Sequence, residues 1–187
     1  MGVSLTDLWI PILLSTVAVF FASSIIWMML PIHKKDYSKL PEEEKLLNAI
    51  REQKLPGGMY TFPFCDHKNM KSPENLAKQK AGPWGCLTVM DGPVNMGVSL
   101  SMWIVNLLLL TSGIAFLAST AYIRGTSYMK IFTFVAIAAF IAHGGGVLTD
   151  SIWKGRPWKA LPASLFDAIV YALLTAGMFG WLWPKLL

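Results

Sequence analysis

Apolar positions gather into four long runs, at about residues 8–31, 96–119, 129–149 and 164–183, with polar, Pro- and Gly-bearing stretches between them. Each run approaches the roughly 20 residues that an α-helix needs to cross a hydrocarbon core of about 30 Å. In lipid a backbone must satisfy its own hydrogen bonds, which a helix does alone. The pattern therefore predicts an all-α membrane fold over residues 1–187: four transmembrane helices in one integral membrane domain. A structured α+β insert, residues 32–95, separates the first span from the second.

Within the insert, Pro41 followed by Glu42, Glu43 and Glu44 predicts a helix start. Proline suits the first helical turn, and acids favour its dipole. Leu46, Leu47 and Ile50 form one apolar face, and Pro56-Gly57-Gly58 ends the helix. Residues 59–64 are rich in β-formers but hold Pro63, which predicts an edge strand. Residues 85–90 predict a second strand, after a polar stretch with Pro73, Gly82 and Pro83. One ribbon and one helix are too small to be stable alone.

Composition narrows the class. The chain is 54% hydrophobic and only 14% charged, against about 25% charge in soluble domains. Ten of its 16 Lys and Arg residues lie from Lys34 to Lys80, mixed with acids. That is a solvated, mixed-sign surface and excludes a nucleic-acid patch. The positive-inside rule places this segment, and the third loop with Lys154, Arg156 and Lys159, in the cytoplasm. Both termini are then expected outside, with Arg124 and Lys130 of the middle loop in dissent. Residues 1–30 read as a retained helix, since they lack the basic start and cleavage site of a signal peptide. Cys65 and Cys86 fall in the cytoplasmic segment, where thiols stay reduced.

Small residues recur every fourth position in the last two spans: Ala138, Ala142 and Gly146 in one, Ala168, Ala172, Ala176 and Gly180 in the other. Such rows let membrane helices approach closely, which predicts an antiparallel pair. Trp9, Trp181 and Trp183 are expected at the outer interface, and Trp27, Trp153 and Trp158 at the inner one. In the third loop, Trp153, Lys154, Arg156 and Trp158 combine aromatics with bases. They suit an interface anchor facing anionic headgroups, or a protein partner.

An ionisable side chain inside a bilayer is by default a functional candidate. His143 is the main one, followed by a Gly144-Gly145-Gly146 run that loosens the helix. Asp150 lies seven residues on, and Asp167 about one turn into the fourth span. With Asn106, Ser23 and Ser24 they make a candidate polar cluster toward the inner half of the bundle. One reading is a proton-handling pair of His143 with Asp150 or Asp167. The other is structural: His143 bonds across a packing seam, and the aspartates cap helices or pair with Lys154 and Arg156.

Bis-histidine haem needs two opposed ligands, and one histidine lies within a span; His33 falls just beyond the first. Cys65-Asp66-His67 with Cys86 lacks the paired spacing of a zinc site. No cofactor and no metal is predicted, haem or quinone near His143 being the lesser alternative. No catalytic residue is assigned, because no phosphate loop or activated nucleophile is visible.

Several segments together carry a resemblance: Ala22-Ser23-Ser24, Leu30-Pro31-Ile32-His33-Lys34-Lys35-Asp36-Tyr37, Met70-Lys71-Ser72-Pro73 and Gly92-Pro93-Val94-Asn95-Met96-Gly97. Ser151-Ile152-Trp153-Lys154-Gly155-Arg156-Pro157-Trp158, Asp167 and Phe179-Gly180-Trp181-Leu182-Trp183-Pro184 complete it. The chain resembles, over most of its length, a family of small bacterial four-span integral membrane proteins with no assigned activity. The resemblance implies a bacterial inner membrane and supplies no catalytic residues. Three functions are then expected in order. The first is a non-catalytic accessory or scaffolding subunit, partnered by the bilayer and by other membrane subunits or itself. The second is a small transporter or proton-conducting component. The third is a haem- or quinone-binding redox subunit.

Overall fold

The computed structural model describes residues 2–185 of the chain. Four helical stretches are long and apolar enough to cross a membrane: Leu5–Met28, Met96–Ala121, Tyr128–Trp153 and Trp158–Leu182. The chain is thus a multi-pass membrane protein in contact with the lipid bilayer. Two units are compact in themselves, a bundle made by the chain up to Tyr37 and from Asn95 onward, and an insert, Ser38–Val94.

In the bundle, a 3-10 turn (Leu5–Leu8) leads into α1 (Trp9–Met28). Ser4 starts it, its backbone N–H and its hydroxyl both donating to Asp7 Oδ2 at 2.9 Å. A further 3-10 turn, Pro31–His33, reverses the chain at the far end of α1. The second span is α4 (Met96–Ala121), whose N-cap Asn95 accepts from Val98 N. The third is two helices, α5 (Tyr128–Gly144) and α6 (Val147–Trp153), broken at Gly145 and Gly146. The fourth is α7 (Leu161–Leu182), entered through a 3-10 turn at Trp158–Ala160.

Helix α7 is the centre of the bundle, packing most extensively on α5 and next on α1. Its buried row includes Ala168, Ala172, Ala176 and Phe179. On α5 the buried row is Ile131, Val135, Ala139 and Gly144, while Ala138 is half-buried and Ala142 and Gly146 are exposed. The small-residue row read from the sequence therefore lies one position off the seam on this helix. A four-residue repeat sets a spacing but leaves the rotation of the helix open, and larger side chains at 131 and 135 take the inner face. A Cβ at Gly144 would stand 3.2 Å from the Ala168 methyl, and one at Gly180 would stand 2.8 Å from the Tyr128 ring. Both glycines mark points of close helix approach, where van der Waals contact holds membrane helices together. Leu13, Phe21, Leu109, Ile137 and Leu173 are exposed on the outer faces, where lipid covers them.

Hydroxyls within the spans mostly bond their own helix backbone, as Thr16 does to Ile12 O and Thr175 to Tyr171 O. Thr16 and Thr111 also meet each other at 3.1 Å between α1 and α4.

The insert contains α2 (Glu43–Gln53), β1 (Gly58–Phe62), α3 (Pro73–Ala81) and β2 (Gly85–Val89). The strands pair antiparallel, Gly58 opposite Val89 and Phe62 opposite Gly85. Lys54 closes α2 in the left-handed region, and Asp91 accepts from Gly57 N to fix the ribbon's open end. Helix α3 carries both N-terminal signals in a polar sequence: Ser72 caps Asn75 N, and Pro73 takes the first helical position.

Candidate functional site

The sequence following α1 decides the site. Leu30 N bonds back to Ile25 O, and the Pro31–His33 turn folds His33 over the end of the helix. The imidazole stacks flat on the Trp27 indole, with centroids 3.9 Å apart and planes 7° from parallel. His33 is only 6% exposed and Asp167 of α7 only 7%.

Both ring nitrogens of His33 face carboxylates. Nδ1 lies 2.8 Å from Asp36 Oδ2. Nε2 lies 3.1 Å from Asp167 Oδ2 and 3.2 Å from its Oδ1. Trp27 Nε1 also donates to Asp167 Oδ2 at 3.1 Å. Arg156, from the connection between α6 and α7, places Nη2 at 3.7 Å from Asp36 Oδ2 and donates to Ser164 Oγ at 2.7 Å. A neutral imidazole has one N–H, so only the imidazolium can donate to both aspartates. Burial by itself disfavours that cation, but the hydrogen bonds and charges of Asp36 and Asp167 outweigh it. The pKa of His33 is consequently raised above its ordinary 6.5. With His33 protonated, two carboxylates face one imidazolium and one guanidinium, and the array is neutral.

Beside the array a cavity of about 860 Å³ opens among α1, α4, α5, α6 and α7. Its charged and polar wall includes Asp167, Asp150, Arg156, His143, Ser23 and Ser24; its apolar wall includes Met28, Leu100, Trp103 and Val147. Ser23 accepts from Trp103 Nε1 at 3.1 Å while its own hydroxyl bonds Phe20 O. The glycine break after α5 lets α6 carry Val147 and Asp150 to this wall. A Cβ at Gly145 would approach Ile141 O to 2.6 Å, so the turn there needs glycine.

Five members of the polar cluster named from the sequence, Ser23, Ser24, His143, Asp150 and Asp167, line this one cavity. Asn106 is exposed on α4, away from it. Asp167 bonds His33 and Trp27 rather than His143. His143 meets the Tyr171 ring edge-on, centroids 5.3 Å apart, and its Nε2 is buried without a hydrogen-bond partner. Asp150 pairs with Lys154 at 2.7 Å. Trp153 and Trp158 are exposed. Arg156, read from the sequence as an interface anchor, turns inward because the buried carboxylate of Asp36 draws its charge.

His33 is the member that sequence reasoning missed. Hydropathy ends the first span before it, so it reads as a headgroup residue. The available signal was the His-x-x-Asp spacing, which brings His33 and Asp36 together in one turn. Because both His33 nitrogens are engaged by carboxylates, neither is free to ligate a haem iron. Among the described residues no group of three or more His, Cys, Asp or Glu side chains is arranged to hold a metal ion. Comparison of the chain with protein-family models, curated proteins and solved structures gave no match.

Proposed function

We propose that this protein is a small proton-handling transport component of a bacterial inner membrane, with both termini outside, and that His33, Asp36 and Asp167 are its proton site. The observation that carries the reading is one buried imidazole held between two carboxylates at the mouth of an intramembrane cavity. Perturbed titratable groups in a cleft are functional candidates, and buried His and Asp chains mark proton relays in membrane proteins. The accessory-subunit reading rests on small size and exposed apolar faces, which lipid covers equally well. The array gives the transport reading a specific place to act.

Loss of the His33 proton leaves the ring with a single N–H, so either Asp36 or Asp167 loses its hydrogen bond from His33. Asp167 belongs to α7, Asp36 to the turn after α1, and Arg156 to the α6–α7 connection. One proton therefore controls how three segments are tied. Tyr37, His143, Asp150 and Tyr171 also line the cavity, and Asp150 is paired with Lys154. Beyond the array the bundle interior is closed by Val19, Leu107, Ile131 and Phe179. Transfer across the membrane requires these helices to part, and a change in the tie to α7 is a direct way to begin that.

The test is proton flux into proteoliposomes carrying a trapped pH dye and driven by a potassium diffusion potential. Wild-type protein should acidify the lumen, His33→Gln and Asp167→Asn should abolish the flux, and His143→Leu should retain it. Equal flux from wild type and monodisperse His33→Gln would refute the assignment.

A further inference from the structure

The insert has strands and helices but lacks an interior of its own. Among its described residues none is fully buried; Tyr60, Pro63, Leu87 and Val89 are half-buried at most. A two-stranded ribbon is at best marginal alone, so it gains from a surface that covers it. The most exposed aromatic side chains of the insert stand at one end of the ribbon. Phe64, 76% exposed, lies just beyond β1, and Trp84, 67% exposed, lies just before β2.

Gln79 of α3 holds these two segments together. Its side-chain amide donates to Pro63 O at 3.3 Å, and its backbone carbonyl accepts from Trp84 Nε1 at 2.7 Å. The indole N–H is thus satisfied within the protein, and the ring can enter an apolar layer without an unmet donor. Lys78 and Lys80 flank Gln79 in the last turn of α3. Lys78 pairs with Glu74 at 2.8 Å, whereas Lys80 forms no ion pair among the described residues. Across the whole connection between the strands, residues 63–84, four lysines stand against two acids, so this end of the insert is cationic.

Chain connectivity names what covers it. The insert begins at Ser38, two residues after Asp36, which is bonded to the buried His33. It ends at Val94, next to Asn95, the N-cap of α4. Both of its ends therefore run into membrane spans without a linker. Tethering of this kind gives the bilayer surface a high effective concentration, whereas a soluble partner must be recruited. Aromatic rings beside lysines suit the boundary between headgroups and acyl chains, where rings bury apolar area and cations meet anionic lipid.

We infer that the insert is a membrane-surface module whose Phe64–Trp84 end docks on anionic lipid, the rings entering the headgroup boundary and Lys80 meeting lipid phosphates. This goes beyond the proton site and does not depend on it.

The experiment uses the full chain, labelled with 5-fluorotryptophan, in nanodiscs that each hold one copy. The Trp84 fluorine resonance is assigned with Trp84→Phe. In nanodiscs containing phosphatidylglycerol it should be broadened by lipid spin-labelled near the headgroup and protected from an aqueous gadolinium chelate. In pure phosphatidylcholine that protection should fall. Lys80→Gln should lower the docked-to-free ratio by about fivefold in the anionic nanodiscs, as loss of one cation at the surface implies, and Phe64→Ser should lower it further. Unchanged melting temperatures would show that the variants fold. Broadening of Trp84 by the chelate and not by spin-labelled lipid would overturn the inference. Protection from both agents would also overturn it, since the ring would then be covered by protein. Equal protection with and without phosphatidylglycerol would remove the recognition of anionic lipid.

Discussion

The two ends of the bundle are built from the same parts and differ in what those parts can do. At one end Asp7 pairs with Arg124 at 2.6 Å, both side chains about a quarter exposed. There Trp183 donates to Ile123 O and Gly125 N to Pro184 O, tying the end of α7 to the α4–α5 turn. At the other end aspartates, an arginine and a tryptophan recur, but they enclose His33 and border a cavity. The first end has a fixed ion pair over a packed core of Leu8, Ile114, Ala118 and Phe179. The second has a buried imidazole that can gain or lose its charge, held toward the protonated form by its two carboxylates. A histidine in place of a permanent cation separates a fastening from a switch.

The largest effect expected from breaking this contrast is Asp167→Leu. It leaves His33 Nε2 and the Trp27 N–H buried without an acceptor, and removing one partner of a buried pair costs about 3–5 kcal/mol. Denaturant titration in mild detergent should show that loss. A cost no larger than that of Asp7→Asn would mean that the two ends are equivalent.

The next effect is the pH dependence of stability. Because the pKa of His33 is raised in the folded protein, its contribution is fully present below the unfolded value of about 6.5. It is lost as pH rises through the higher folded value. Melting temperatures of the wild type should therefore fall as pH increases from 6 upward, and those of His33→Gln should stay level over the same window. A wild-type profile that rises with pH would have the wrong sign.

The smallest effect belongs to Asp7→Asn, since solvent-exposed ion pairs contribute little to stability. It should reduce stability slightly, with no group near neutrality to make the change depend on pH. A strong pH dependence there would blur the difference between the ends.

Much of the fold was legible in the sequence and less of the site. Four apolar runs predict four spans, and proline and glycine punctuation marks the insert's α2, β1 and β2. Helix α3 was missed because its sequence, Pro73 to Ala81, is polar on most sides and offers no apolar period. Spacing also fails to fix rotation, so Ala142 and Gly146 were assigned to a seam that Val135 and Ala139 occupy. The glycine break, plain in the sequence as Gly144-Gly145-Gly146, changes the helix phase just where Asp150 was projected from His143. Ionisable residues deep in a span stand out against lipid, which is why His143 and Asp167 were found. His33 enters the buried site only through a chain reversal after α1, and hydropathy does not report reversals. Asn106 shows the converse, a polar residue at the right depth on the outward face of its helix.

The most direct measurement is the titration of His33 by NMR, on protein labelled with ¹⁵N in its histidines and assigned with His33→Gln. Both ring nitrogens should be protonated at pH 6, with a pKa above 6.5. A pKa at or below 6.5, or a single protonated nitrogen near pH 6, would contradict an imidazolium held between Asp36 and Asp167.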